Sequence, residues 1–169
     1  MSAPRPVIDE SVRSALDEIE HPVSIASSVR DGAGAIADFR LEFVNSAAAA
    51  WIAQPREAIV GRNAGELVPA LITTGLLDEL RKAVETGTPY RIAGIRLVDA
   101  EIDGRLVGGR YDMGAMRLGD GYLSVWRDIG DGDSESEELD RAMHRMHALI
   151  RMIRLESHGH VALRPSFAT

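Results

Sequence analysis

The spacing of hydrophobic and polar residues changes several times along the chain, and each change predicts a new element. Apolar residues at helical spacing predict a helix from Val7 to Glu20, which ends at His21-Pro22 because the residue before proline avoids the α region. From Val23 to Val29 the spacing becomes two, which predicts a strand. After a turn at residues 31–34, apolar and charged residues alternate over 38–43, which predicts a second strand with one solvated face.

Short helices are predicted for the middle of the chain. Asn45 can cap a helix through its side-chain oxygen, and Gly61 and Gly65 limit the length of the elements that follow. A longer amphipathic helix is predicted from about Leu76 to Thr86. Gly87 suits the left-handed position after its last turn.

Three further strands are predicted in the second half, over Tyr90–Val98, Leu106–Leu118 and Tyr122–Asp128. Asp-Gly dipeptides at 103–104 and 120–121 supply hairpin turns between them. Two strands, a group of helices and three more strands predict an antiparallel α+β domain rather than a doubly wound parallel one.

An acidic stretch from 131 to 140 marks the boundary of this domain. The acidic residues there are Asp131, Asp133, Glu135, Glu137, Glu138 and Asp140. We therefore assign residues 1–20 to an N-terminal amphipathic helix and 21–130 to the domain. Residues 131–157 are an acidic linker with a helix, and 158–169 are a flexible tail.

The predicted C-terminal helix carries a heptad pattern. Its apolar residues are spaced 4, 3, 4 and 3, which is the pattern of a coiled-coil seam slightly longer than two heptads. The seam consists of Leu139, Met143, Met146, Ile150 and Ile153. Two heptads alone form a marginal coiled coil, so we expect a homodimer that also uses the N-terminal helix.

Composition narrows the chemistry. The chain has 169 residues, 45% of them hydrophobic, which suffices for one domain core and a flanking segment. A net charge of −7 argues against general nucleic-acid binding. No run of 18 apolar residues and no signal-peptide pattern occurs, so we expect a cytoplasmic protein without a membrane span. The absence of cysteine excludes disulfides, thiol nucleophiles and thiolate metal sites.

Catalytic motifs are missing, so we expect no enzyme. The chain has no nucleophile elbow, phosphate-binding glycine loop or His-Glu-x-x-His pattern. The alternative is a small acid–base enzyme on a half-open α+β barrel, such as an isomerase or dehydratase. It would use Asp103, Asp112 or Asp128 as a general base, buried with a raised pKa opposite an acid partner.

Histidines cluster near the C-terminus. His144 and His147 lie three apart on the predicted helix, and His158 and His160 follow in the tail, with Glu156 the nearest carboxylate on that side. A metal site would need a third or fourth ligand in fixed geometry. We interpret these residues as a solvated face and predict no metal site.

Four segments resemble the PAS domain family, in the family's order and over residues 20–130. They are DFRLEFVNSAAAAW, REAIVGRNAGELVP, GLLDELRKAVETGTPY and YDMGAMRLGDGYLSVWRDIG. The resemblance implies a five-stranded antiparallel sheet of order 2-1-5-4-3, with helices on one face and often a small-molecule pocket between them. It also implies a sensor or dimerisation module of a bacterial signal-transduction protein, whose helical extension relays a signal to an output domain or partner.

Departures from the family pattern bear on the cofactor, which stays unassigned. In GRNAGELVP, Ala64 stands where light-sensing flavin members place a reactive cysteine. Without any cysteine, neither a cysteinyl–flavin adduct nor a thioester-linked chromophore can form. Haem-binding members generally use a histidine before the third strand, and the interval 42–128 contains none, which argues against haem.

The resemblance implies a pocket lined by inward residues of the strands and the long helix, suited to a small apolar ligand. The candidates are Leu41, Phe43, Trp51, Leu80, Tyr111, Met113 and Trp126. The same residues are equally candidates for a fully packed core, in which case the domain is a ligand-free interaction module.

The family's closing motif, Asp-Ile-Thr, reads Asp128-Ile129-Gly130 here. We predict a signal relay through Trp126-Arg127-Asp128 and Ile129 to the helix that begins near Leu139. The alternative is that Asp128 simply ends a strand and caps a turn.

Overall fold

A computed structural model describes residues 5–130 and 136–155, and the strands in this part of the chain form two sheets. The strands are β1 (Pro6–Val7), β2 (Val23–Arg30), β3 (Ile36–Val44), β4 (Tyr90–Ile102), β5 (Arg105–Arg117), β6 (Gly121–Asp128) and β7 (Arg154–Leu155). β2 to β6 form one antiparallel sheet in the order β3-β2-β6-β5-β4, while β1 and β7 pair separately. Counting only the five strands of the large sheet, this is the order 2-1-5-4-3, and the predicted α+β class is confirmed.

Helices cover both faces of the sheet. They are α1 (Glu10–Asp17), α2 (Ser46–Ile52), α3 (Arg56–Ile59), α4 (Ala64–Leu67), α5 (Ala70–Thr73), α6 (Leu76–Thr86) and α7 (Ser136–Ile150). The connecting helices α2 to α6 pack on one face, where Phe39, Ile59 and Leu80 are fully buried. The terminal helices α1 and α7 pack on the other face, where Leu16 and Met146 are fully buried. None of the helices in the described residues is long and apolar enough to cross a membrane.

The N-terminal segment differs from the helix predicted over residues 7–20. The helix is shorter, Glu10–Asp17, and begins where the side chain of Asp9 accepts a hydrogen bond from the Val12 amide at 2.9 Å. The residues before it, Pro6–Val7, form a strand with Arg154–Leu155 instead of a first helical turn. Residues 131–135 of the predicted linker and residues 156–169, which include the predicted tail over 158–169, lie outside the described residues, so the predicted boundaries stay predictions.

A β-bulge in β3 changes which residues share a face. Ile25 pairs with Phe43, but the next residue, Ala26, pairs with Leu41, so Glu42 is an extra residue in the strand. Because side chains alternate across a strand, the extra residue moves Phe43 to the face opposite Leu41. Phe43 therefore packs beneath α1 and α7, while Leu41 faces the connecting helices.

Asn45 joins three segments at one buried point. Its side-chain oxygen accepts hydrogen bonds from the amides of Val23 at 2.9 Å and Ala48 at 3.0 Å. Its amide nitrogen donates to the carbonyls of Leu16 at 2.9 Å and His21 at 3.0 Å. The predicted helix cap is therefore also the link between α1, the start of β2 and α2.

Candidate functional site

A cavity of ≈ 90 Å³ lies between the sheet and the connecting helices. Six of the seven predicted pocket residues line it, namely Leu41, Trp51, Leu80, Tyr111, Met113 and Trp126. The seventh, Phe43, does not, because the bulge turns it to the other face of the sheet. Residues that the pattern did not single out complete the walls: Ser24, Val44, Ile52, Ala64, Leu67, Val68, Ala70, Leu71, Leu76, Ile95, Leu97, Tyr122 and Ser124.

Three aromatic side chains form one end of the cavity. The ring of Trp51 stands edge-on to Tyr111 at 5.6 Å and to Trp126 at 5.4 Å between ring centroids. The Trp51 indole N–H donates to the Tyr111 oxygen at 3.3 Å, and the Tyr111 hydroxyl donates to the carbonyl of Gly108 at 3.3 Å. By contrast, the indole Nε1 of Trp126 is buried and has no hydrogen-bond partner within the described residues.

The remaining polar groups of the cavity are uncharged hydroxyls. The side chains of Ser24 and Ser124 share a hydrogen bond of 2.7 Å across β2 and β6. Tyr122 is buried, and this burial raises the pKa of its phenol, so the group stays neutral. Burial likewise raises the pKa of Tyr111. No lining side chain is ionised at neutral pH, so the cavity favours an uncharged occupant.

The tip of the β4–β5 hairpin closes over the helix that carries Trp51. Asp103, at the tip, accepts hydrogen bonds from the Arg62 guanidinium at 2.6 Å and the Gln54 amide at 2.5 Å. These two donors lower the pKa of Asp103 to about 2. Arg105 donates to the carbonyl of Trp51 at 2.7 Å. The hairpin, longer than its predicted strands, is thereby fixed at one side of the cavity.

Helix α7 lies on the opposite face of the sheet, and its apolar stripe packs on the chain's own strands. Of the predicted dimer seam, Leu139, Met143, Met146 and Ile153 are buried and Ile150 is partly buried. Gly114 on β5 makes room for this contact, since a Cβ there would lie 2.5 Å from the sulfur of Met143. A dimer through this seam would require α7 to leave the sheet, and the seam's role stays a prediction.

Charged side chains connect α7 to the sheet. Asp112 on β5 is fully buried, accepts a hydrogen bond from the Gly94 amide at 2.9 Å and lies 3.9 Å from the Arg127 guanidinium. Arg127 also pairs with Glu138 of α7 at 3.2 Å. The other oxygen of Glu138 is 3.0 Å from His21 Nε2. This Asp112–Arg127–Glu138–His21 network joins two strands, α7 and the segment before β2.

Arg127 lies inside the predicted relay, but its contact with Glu138 of α7 was not among the predictions. Strand alternation supplies the signal: if Trp126 faces the cavity, Arg127 faces the other side of the sheet, toward the acidic start of α7. Asp128 is exposed, and its side chain accepts a hydrogen bond from the Gly130 amide at 2.9 Å, as expected for a residue that ends a strand. A relay role for Asp128 and Ile129 stays a prediction.

The acid–base alternative lacks a suitable arrangement among the described residues. Asp103 and Asp128 are exposed, and Asp112 lies on the face opposite the cavity. None of the three carboxylates lines the cavity. His144 and His147 are exposed on α7, and no group of three or more metal-binding side chains occurs in the part of the chain that the structure describes.

Glu138→Gln is expected to weaken the docking of α7. The substitution removes the negative charge that Arg127 and His21 face, while leaving Arg127 beside Asp112. Amide hydrogen exchange over residues 139–150 should rise by about three- to tenfold, as loss of one partly exposed charged contact predicts. Glu137→Gln, on the neighbouring exposed residue, should change exchange by less than about twofold. Equal effects of the two variants would contradict the assigned contact.

Comparison with known proteins agrees with this architecture. A family model described as the PAS fold matches residues 30–107. A blue-light activated histidine kinase from Erythrobacter litoralis is similar with a TM-score of 0.59 and 20% identity, over 87% of this chain but only 47% of the kinase chain. A LOV protein from Rhodobacter sphaeroides is similar with a TM-score of 0.58 and 13% identity, over 84% of this chain and 78% of that one. No curated protein sequence matches the chain.

A third solved structure covers the core alone. A domain of a sensory box sensor histidine kinase/response regulator from Geobacter sulfurreducens has a TM-score of 0.50 and 18% identity, over 70% of this chain and 91% of that domain. Together with the sheet order and the cavity, these likenesses define an antiparallel α+β domain with helices enclosing a cavity on one face of the sheet. The chain contains a domain of the PAS fold, which the family model matches over residues 30–107.

A flavin, the cofactor of the light-sensing members, does not fit this cavity. The volume of ≈ 90 Å³ is smaller than the roughly 150 Å³ of an apolar cavity that holds a single benzene ring, and a flavin has three fused rings. Its several polar edge atoms would need partners when buried, yet the lining side chains include neither an amide nor a charged group. The absent cysteine excludes the photochemical adduct in any case.

Proposed function

We propose that the chain is a sensor module in which the state of the cavity controls whether α7 stays docked on the sheet. The supporting observation is the pair of neighbouring residues on β6. Trp126 lines the cavity on one face, and Arg127 contacts Glu138 of α7 on the other. A displacement of β6 that accommodates an occupant therefore acts directly on the charged contact that holds α7.

The proposal requires two states with different affinities for the occupant. In one, the cavity is packed and α7 is docked; in the other, the cavity is filled and the Arg127–Glu138 contact is weakened. An occupant shifts this equilibrium only if it binds the two states unequally. An occupant that binds the second state tenfold more tightly shifts the equilibrium by about 1.4 kcal/mol, which is similar to the contribution of one hydrogen bond to a charged group.

Release of α7 would expose the five-residue apolar seam. An exposed stripe of this kind pairs with another apolar surface, which we propose to be the same seam of a second copy or an output domain. On this proposal the homodimer and the docked helix are alternative states of one surface. The signal passes from Trp126 and Arg127 through Asp128 and Ile129 to α7, and the output is the availability of the seam.

A side chain that fills the cavity tests the proposal without any ligand. Ala64 is buried and lines the cavity, so Ala64→Leu inserts an isobutyl group there. We expect amide exchange over residues 139–150 to rise by about tenfold, although residue 64 lies on the opposite face of the sheet. Ala58→Leu, at an exposed position on α3, should leave exchange in α7 unchanged. A folded Ala64→Leu variant with exchange like the parent protein would refute the coupling.

A further inference from the structure

We propose that the cavity binds a small, uncharged, monocyclic compound whose single oxygen acceptor pairs with the indole N–H of Trp126. This inference rests on the proposed function, because it names the chemical class that the sensor would detect. It follows from an unsatisfied donor, from the nature of the walls and from the available volume.

The unsatisfied donor is the strongest of these observations. A buried N–H without a partner costs free energy that an acceptor in the cavity would recover. Trp126 lines the cavity, and its Nε1 has no partner within the described residues. The other indole of the cavity, on Trp51, already donates to Tyr111 at 3.3 Å, so it offers no free donor. Of the two indoles, Trp126 is therefore the one whose N–H is available to a ligand.

The walls define the rest of the ligand. Apart from hydroxyls and the indole groups, the lining is aliphatic or aromatic, and it contains no ionised side chain to balance a carboxylate or an ammonium group. The edge-on arrangement of Trp51 with Tyr111 and Trp126 surrounds one end with aromatic surface, which suits a planar ring. A volume of ≈ 90 Å³ in the packed state, smaller than the roughly 150 Å³ of a cavity that holds benzene, limits the occupant to one ring, which enters as the cavity widens in the filled state of the proposed function.

Two compounds of similar shape measure the contribution of the ligand's oxygen acceptor to binding. Acetophenone carries a carbonyl oxygen, and ethylbenzene lacks it. Their affinities for the full chain are to be measured by titration calorimetry in the parent protein, in Trp126→Phe and in Trp51→Phe. Trp126→Phe removes the unpartnered donor, whereas Trp51→Phe removes an indole of the same cavity whose N–H is already bonded. Benzoate, the charged relative of acetophenone, tests the requirement for an uncharged ligand.

We expect acetophenone to bind the parent protein. Trp126→Phe should lower the affinity for acetophenone by about tenfold, as loss of one hydrogen bond predicts, while the affinity for ethylbenzene should change by less than about twofold. Trp51→Phe should change the affinities for both compounds by similar factors. Benzoate should not bind. Failure of acetophenone to bind, equal losses for both compounds in Trp126→Phe, or benzoate binding as tight as that of acetophenone would each overturn the inference.

Infrared spectroscopy gives a second measurement that needs no variant. The carbonyl band of bound acetophenone should lie at lower frequency than in hexane, because a hydrogen bond to Trp126 weakens the C=O bond; an unshifted band overturns the inference. Amide exchange over residues 139–150 separates this inference from the proposed function. Binding without a change in α7 exchange would contradict the proposed function alone. A rise in amide exchange over residues 139–150 in Ala64→Leu, without acetophenone binding to the parent protein, would contradict the ligand class alone.

Discussion

Met146→Asp is expected to release α7 from the sheet while the PAS core stays folded. Met146 is fully buried on α7 and packs with residues of α1 and the sheet. The substitution removes a large apolar contact and places a carboxylate in an apolar environment. Together these changes weaken the docking of α7 by several kcal/mol. Amide exchange over residues 139–150 should therefore rise by at least about 100-fold, which corresponds to about 3 kcal/mol of docking free energy.

The matched control for this variant is Ala148→Asp, which adds the same charge to an exposed position of the same helix. It should change α7 exchange by less than about threefold. Sedimentation of the parent protein and of Met146→Asp shows whether the seam also joins two copies. A parent dimer that becomes monomeric in Met146→Asp would support the predicted seam, and an unchanged dimer would refute it. Unaltered α7 exchange in Met146→Asp would contradict the docked arrangement.

Asn45→Ala is expected to lower the free energy of unfolding by about 3 kcal/mol. The side chain is fully buried and forms four hydrogen bonds of 3.0 Å or less to backbone groups of three segments. Alanine leaves those backbone groups without their partner and removes the cap of α2, and each such loss is worth about 1 kcal/mol. Urea denaturation, followed by circular dichroism, measures the change through the shift of the midpoint.

Asn63→Ala provides the control for Asn45→Ala. Asn63 also precedes a short helix, but its side chain makes no capping bond and only reaches Glu66 at 3.5 Å. Its replacement should change the unfolding free energy by less than about 0.5 kcal/mol. If the two alanine variants proved equally stable, the buried hydrogen bonds of Asn45 would not have the structural role described here.

Much of the sheet could be predicted because strand patterns and turn residues are local. Alternation between residues 38 and 43 and the Asp-Gly dipeptides placed the strands, and the family resemblance supplied their order. The face of Phe43 could not be predicted in the same way. One extra residue, Glu42, inverts the alternation, and bulges have no reliable sequence signature. Leu41 and Phe43, two apolar residues two positions apart, therefore lie on opposite faces of the sheet.

The surface on which the apolar seam of α7 packs could not be predicted either. An apolar residue every three or four positions makes one face of a helix apolar, whether the partner is another helix or a sheet. What distinguishes the two cases here lies elsewhere in the chain: Gly114 leaves space for Met143, and Arg127 faces Glu138. These contacts join residues far apart in sequence, and a periodicity read within one segment does not contain them.

The placement of the aromatic residues makes the cavity observable by its own optical signal. The chain contains two tryptophans, and both line the cavity, 5.4 Å apart between ring centroids. Indole emission depends on local polarity, and two rings this close couple electronically. Fluorescence excited at the red edge of the aromatic band, where tyrosine does not absorb, and the tryptophan bands of the near-ultraviolet circular dichroism spectrum therefore report on the cavity. An occupant can be followed in real time in the unlabelled protein, independently of any change in α7.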